Sequence, residues 1–487
     1  MTTTLFTDAR KVDADGEVAG FWMLVDGDVI VATGATVPGS RGAAEVTGGV
    51  DATRASSATA GAPDAPTAGG AVPPPADVTV DLAGATLTPG LIDLHTHGGG
   101  GHAFDGGPDD LDAGLALHRR HGTTRSLVSL VANPVPVLAR SLGLIGDLMR
   151  RDPLVLGAHL EGPFLAPDRR GAHAPHFLLE PDAATVEALL EAGDGVVRQV
   201  TIAPELPGGL DAIDRLVSSG VVAAVGHTDA DFDLARAAFD RGASLVTHAF
   251  NAMAGIHHRD PGPLVAAVGD ERVTIELILD GVHVHPAVAE LVLRSAPRRV
   301  ALVTDAMAAA GAADGDYRIG ELAVTVDRGV ATLTGSSTIA GSTLTQDAAL
   351  RLAITAAGLS PVDAVAALTL VPAHVLGLDA GGRRAGTRLS TGAASAAVTP
   401  TAHAAAAHPS QSAAAGPAQS AAAAAPMVLS AAAARPAQGA ATRPAQGTEA
   451  HPALGRLAPG HAADAVAWRD DWTVARVWAA GRELPVG

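Results

Sequence analysis

Cysteine is absent from the 487 residues of this chain. A disulfide framework, a thiolate zinc site and a cysteine nucleophile are therefore excluded together. Lysine is almost as scarce: Lys11 is the only one. The Gly-Lys pair of a Walker-type phosphate loop is missing, and a Schiff-base lysine is not expected. Aromatic residues make up only 3%, so a core must be built from Ala, Val, Leu and Ile. Positive charge is also in deficit, with a formal net charge of −18. That balance argues against nucleic acid and anionic membranes as partners. An anionic substrate would need a site that supplies its own positive charge. No uninterrupted apolar stretch reaches membrane-spanning length. The first residues, MTTTLFTDARKVDADGE, show no apolar region of the signal-peptide kind. A soluble, cytoplasmic protein is the expectation.

What is present is a large aliphatic content, 47% hydrophobic residues, enough for a substantial core. The length points to one large domain and a smaller one. Two stretches fall outside that core. Residues 35–76 are rich in Gly, Ala, Ser, Thr and Pro, and residues 379–452 are Ala/Pro/Ser/Gln low complexity with the near-repeat RPAQGAATRPAQG. Such compositions cannot bury enough apolar surface to offset the ordering entropy. Both read as insertions, the second as disordered, and His403, His408 and His451 within it read as solvated residues.

Between them, over residues 77–378, short β-rich runs alternate with helical patterns. The runs are GLIDLHTH, RSLVSLV, LVLGAHLEG, VRQVTIAPE, VVAAVGHTD, SLVTHAFNAM, VTIELILDGVHVH and VALVTDAM. Segments such as DLDAGLALHRRHG and DFDLARAAFDRG between them carry apolar residues at helical spacing. Eight such alternations predict an α/β fold, a (β/α)8 TIM-like barrel, with an open doubly wound sheet as the alternative. Phe21 to Gly34 reads as a hairpin around Asp26-Gly27-Asp28, and Ala463 to Leu484 as further short strands. Residues 1–34 and 453–487 are accordingly expected to form one small β-sandwich.

In a barrel the reactive groups come from the C-terminal ends of the strands. Here those ends carry His95 and His97, Glu161, His227, His248 and Asp305. A lone strand-end histidine is usually a structural hydrogen-bonding residue. Four histidines and two carboxylates on the ends of five runs are a ligand set for a divalent metal. In His95-Thr96-His97 the two-residue strand period turns both rings to one side. Gly98 to Gly101 then let the backbone turn away and leave room.

These residues also carry a resemblance. HLEGPFL (from His159), GAH (from Gly171), GHT (from Gly226), THAFNAM (from Thr247), HHRDPG (from His257), DGVHV (from Asp280), VTDAM (from Val303) and LTGSS (from Leu333) occur in order along the barrel. In them the chain resembles the amidohydrolase superfamily and, within it, the N-acetylglucosamine-6-phosphate deacetylases. The resemblance implies that Glu161, His227 and His248 hold the main metal ion. It implies that His95 and His97 match members able to bind a second. The expected cofactor is a divalent metal, Zn²⁺ first among the candidates, one or two ions per subunit. Asp305 would be the general acid/base, and His173 would help polarise the amide carbonyl. Asn251, Ala252, Arg259, His283 and Leu333 would belong to the substrate site, with Arg259 reaching across a homodimer to the sugar phosphate.

Some residues stay open at this level. His285 lies one alternation from His283 and competes with it for the inward position. His159 shares strand parity with Glu161 and reads as a supporting residue rather than a ligand. The implied reaction is hydrolysis of the N-acetyl group of N-acetylglucosamine 6-phosphate. Rival readings are an amidohydrolase acting on a related N-acyl amino sugar phosphate or a cyclic amide, a deaminase of the same superfamily, and a non-catalytic metal-binding barrel. Cyclic amidases commonly bridge two metals with a carboxylated barrel lysine, and residues 77–378 contain no lysine.

Overall fold

The computed structural model describes residues 2–36, 72–380 and 451–486. His403 and His408, and most of the two low-complexity stretches, lie outside the described residues. His451 is described and is exposed.

Eight parallel strands form one sheet in sequence order: Leu91–Asp93, Thr123–Val131, Val155–Glu161, Val197–Ile202, Val222–Val225, Leu245–Val246, Thr274–Ile278 and Val300–Val303. Their sequences are near-continuous apolar runs because both faces are covered. All nine residues of Thr123–Val131 and all seven of Val155–Glu161 are buried. Helices pack outside through apolar stripes. In Val135–Arg151 the buried positions are Leu138, Leu142, Ile145 and Leu148, at helical spacing on one face. Asp231 caps the helix Phe232–Asp240 by accepting from Leu234 N at 2.8 Å.

The sheet closes between its first and last strands at their C-terminal ends. Asp305 N donates to His95 O at 2.8 Å, and His97 N to Ala306 O at 2.7 Å. Thr304 Oγ1 donates to the buried carboxylate of Asp93 at 2.7 Å. The backbone that closes the barrel is thus the backbone that carries His95, His97 and Asp305.

A second eight-stranded sheet gathers both chain ends. It includes Val78–Asp81 and Thr86–Pro89, which pair with Thr3–Asp13. The sequence reading counted this region with the barrel, which the structure begins only at Leu91. Thr86–Pro89 is fully buried and looks like a barrel strand. It is nevertheless bracketed by Thr3–Asp13 and by Ala465–Trp468, partners that local pattern does not reveal. This sheet curls on itself. Phe6 and Trp478 lie on strands three apart in the pairing order, which in a flat sheet would be about 14 Å, yet their ring centroids are 5.0 Å apart. After the last barrel strand, a three-stranded meander (Gly315–Ile319, Leu322–Asp327, Val330–Leu333) packs Ile319 and Val324 against Val131 and Met307. No helix among the described residues is long and apolar enough to cross a membrane.

Candidate active site and metal centre

The strand ends converge on the carboxylate of Glu161. Its Oε1 lies 3.0 Å from His227 Nε2, 3.0 Å from His248 Nε2 and 3.5 Å from His95 Nε2. Its Oε2 lies 3.1 Å from His97 Nε2 and 3.4 Å from His173 Nε2. Asp305 Oδ1 is 3.4 Å from both His95 Nε2 and His97 Nε2. Within the cluster, the Nε2 atoms of His95 and His97 are 3.0 Å apart, as are those of His227 and His248. All seven residues are buried.

The backbone holds several of them under strain. His227, His248 and Asp305 have φ of 49°, 26° and 48°, and Ala252 has 51°. Non-glycine residues rarely occupy this left-handed region, and those that do collect at functional sites. Glycine is required nearby. At Gly226 a Cβ would stand 2.7 Å from Thr247 Cβ, so the strand leading to His227 has no room for a side chain there.

The electrostatics follow from this packing. Burial pushes the Glu161 carboxyl up, but the imidazoles of His95, His173 and His227 overrule it and hold it well below the usual range. Burial likewise opposes charge on His97, yet Asp305 and Glu161 raise it to about 9. Asp305, lifted by burial, is drawn down to about 2 by His95 and His97. Paired imidazole nitrogens at 3.0 Å, crowded by carboxylates and cut off from water, are costly unless a cation joins them. Imidazole and carboxylate are also the donor set of hydrolytic Zn²⁺ and related divalent sites. The residues present therefore fit a divalent ion. Two groups offer one: His95 and His97 with Glu161 and Asp305, and Glu161 with His173 and His227, the second joined by His248, whose Nε2 is 3.0 Å from both Glu161 Oε1 and His227 Nε2. Glu161 faces both.

Ring tautomers separate ligands from supporting residues. His227 Nδ1 donates to Arg169 O at 2.8 Å, leaving the Nε2 lone pair free for an ion. His173 is reversed: its Nδ1 accepts from Ala132 N at 3.2 Å, so the proton of the neutral ring sits on Nε2. Burial holds His173 below its ordinary value despite Glu161. It thus offers a donor, suited to a carbonyl oxygen. His159 spends both ring nitrogens on hydroxyls, Nδ1 on Ser129 at 3.0 Å and Nε2 on Thr201 at 2.8 Å, and has none left for an ion.

Glu161, His173, His227, His248 and Asp305 floor a cavity of about 480 Å³ whose wall includes Asn251, Ala252 and His283. The Asn251 amide donates to His248 O and Ala249 O, both at 3.2 Å. His283 Nδ1 is 2.7 Å from Asp280 Oδ2. Burial works against its charge, but that carboxylate prevails and raises it. His285, the competing position, instead caps the helix Pro286–Ser295 by accepting from Ala287 N.

Two expected residues are not on this wall. Leu333 sits at the end of the meander, its N–H bonded to Thr338 O at 2.9 Å. The following turn lines the cavity instead, through Ser337, Thr338, Ile339 and Gly341. Arg259 stands exposed on its loop, bonded to His258 Nε2 at 2.7 Å. The sequence reading also missed Arg169 and Arg170, which do line the cavity. The Arg169 guanidinium is engaged by Asp229 at 2.5 Å, whereas among the described residues Arg170 donates only to Pro167 O at 3.3 Å. Their signal was the Asp-Arg-Arg-Gly run just ahead of His173.

Comparison with known proteins agrees with this architecture. The model of the amidohydrolase family matches residues 86–387. An N-acetylgalactosamine-6-phosphate deacetylase of Escherichia coli O157:H7 is 40% identical over 60% of this chain and 78% of its own. The N-acetylglucosamine-6-phosphate deacetylase of Bos taurus is 36% identical over 64% of this chain and 79% of its own. Among solved structures, a variant N-acetyl-D-glucosamine-6-phosphate deacetylase of Mycobacterium smegmatis, in complex with N-acetyl-D-glucosamine-6-phosphate, superposes with a TM-score of 0.74. It is 34% identical, with complete coverage of both chains.

Proposed function

The chain belongs to the amidohydrolase family, and from that premise we propose that it hydrolyses the N-acetyl group of N-acetylglucosamine 6-phosphate to glucosamine 6-phosphate and acetate. One observation carries the reading. One cavity has Glu161, His173, His227, His248 and Asp305 on its floor, and anion-compatible groups, His283, Asn251 and Arg170, on its wall.

An amide is a poor electrophile and water a poor nucleophile. Glu161, His227 and His248 would hold a divalent ion, with His95 and His97 able to hold a second, and its chemistry there would be Lewis acidity toward the carbonyl oxygen and the attacking water. The chain's own groups do the rest. Asp305, ionised and aimed into the cavity, takes the proton from the attacking water. It then delivers that proton to the departing nitrogen, since an amine leaves far better than an amide anion. His173 Nε2–H donates to the carbonyl oxygen as it gains charge. Asn251, the backbone at Ala252 and the His283 imidazolium hold the phosphate, and this remote binding orients the acetamide.

Zinc is the proposed ion, on the all-imidazole-and-carboxylate donor set. The cytoplasm is the proposed location, because a phosphorylated sugar is held inside the cell by its charge. A homodimer is proposed in which Arg259 of one chain completes the phosphate site of the other. Its exposed position away from its own cavity supports that role. Arg259→Ala should then raise KM for phosphorylated substrate by about tenfold or more, the loss of a charge-assisted pair. The unphosphorylated sugar should be unaffected. Equal effects on both sugars would remove Arg259 from the phosphate site.

A second reading keeps the chemistry and changes the sugar. The 40% identical relative is named for the galactosamine epimer. The decisive test is acetate release by the purified, metal-loaded protein. The substrates are N-acetylglucosamine 6-phosphate, N-acetylgalactosamine 6-phosphate, plain N-acetylglucosamine and a cyclic amide. The highest kcat/KM is expected on the glucosamine phosphate. A preference for the galactosamine phosphate would select the second reading, and turnover of the cyclic amide alone would reject both.

A further inference from the structure

A ligand histidine needs its other ring nitrogen fixed, because that bond sets the tautomer and the basicity of the ligating atom. Arg169 O does this for His227. His248 Nδ1 has no hydrogen-bond partner among the described residues. His95 is a different case. Its Nδ1 faces Oε2 of Glu276 at 3.5 Å, and neither atom has a hydrogen-bond partner elsewhere among the described residues.

Glu276 lies in the barrel strand Thr274–Ile278, with no surface exposed to solvent. Its other oxygen accepts from Gln199 Nε2 at 2.8 Å. Gln199 is equally buried, on the strand Val197–Ile202. A carboxylate buried with one neutral amide donor is poorly compensated. The group facing its other oxygen is the Nδ1–H of His95. For His95 to ligate an ion, its Nε2, which points at His97, Glu161 and Asp305, must carry the lone pair. The ring proton then belongs on Nδ1, opposite Glu276.

We propose that Glu276 is a positioning residue for His95. It accepts the Nδ1–H, fixes the tautomer whose Nε2 lone pair faces Asp305, and sets the affinity for the ion held by His95 and His97. Gln199 anchors Glu276 from the far side. The ion held by Glu161, His227 and His248 does not depend on it. The inference rests on reading this cluster as a metal centre, not on the identity of the sugar.

The test uses the full-length protein, stripped of metal and titrated with Zn²⁺ alone. Affinities come from competition with a chromogenic chelator, and stoichiometry from elemental analysis. In Glu276→Leu one of the two ions, the one held by His95 and His97, should lose about ten- to a hundredfold in affinity, the size of loss seen for such outer partners. The other ion should be unchanged. Glu276→Gln, whose amide oxygen still accepts from Nδ1, should recover most of that loss. Glu276→Asp keeps the charge but withdraws it from His95, and should show the same selective loss even if the leucine variant does not fold. The melting temperature of the metal-free protein separates this from a merely structural role. A structural carboxylate would lower that temperature and leave the affinity ratio of the two ions alone. Such a result, or a parent protein that binds only one ion per chain, would overturn the proposal. A parent that binds two ions but releases no acetate would reject the deacetylase reading, while a selective loss in the variants would still support Glu276.

Discussion

Asparagine in place of Asp305 should leave a folded protein whose kcat for deacetylation is lower by about 10²- to 10⁴-fold, the usual worth of a positioned general acid/base. The fold should survive for specific reasons. Asp305 sits at φ 48°, a conformation asparagine tolerates better than most residues. Its backbone bonds to His95 O and from Ser342 N, both 2.8 Å, do not involve the side chain. The ion at Glu161, His227 and His248 should remain, because Asp305 contacts the other pair of imidazoles. The measurement is steady-state acetate release alongside elemental analysis of the same preparation. Activity within tenfold of the parent would take the proton transfer away from Asp305.

Metal removal should have a still larger effect. Stripping the protein with a strong chelator should reduce acetate release to background, and Zn²⁺ should restore it. Glu161→Ala should not be rescued, since among the described residues Glu161 is the one carboxylate facing both pairs of histidines. Loss of ions that bind only the folded state also removes stability, by about 4 kcal/mol when the free ion is a thousandfold above its dissociation constant. The holoprotein should therefore melt at a higher temperature than the stripped one, and Glu161→Ala should show no such difference. Full turnover by a preparation shown to be free of metal would end the account of the site given above.

These two experiments address residues that were visible in the sequence. Strand ends in a closed parallel barrel are recognisable because both faces are buried, which forces continuous apolar runs. A histidine or carboxylate at the close of such a run then stands out. His95, His97, Glu161, His227, His248 and Asp305 are all of this kind, and the structure brings them within hydrogen-bonding or ion-pairing distance of one another. Residues on irregular backbone were harder to read. Leu333 was expected at the substrate and is instead paired with Thr338, because the meander turns its following loop toward the cavity. Arg169 and Arg170 look like surface charge until the loop that carries them is seen to pass over the cavity.

The sequence by itself determined the barrel, the order of its strands, the reactive groups at their ends and the kind of chemistry those groups support. Composition and periodicity act over a few residues, and each of these features is written within one run. Only the tertiary structure decided how the ring nitrogens of His227, His173 and His159 are used. Arg169 O, Ala132 N, Ser129 and Thr201 determine that, and all come from other parts of the chain. It also decided that Thr86–Pro89 joins the terminal sheet, and that the barrel seam runs through the site. Partners so far apart along the chain are chosen by strand register and loop path. Those are properties of the assembled sheet and leave no local mark on the residues themselves.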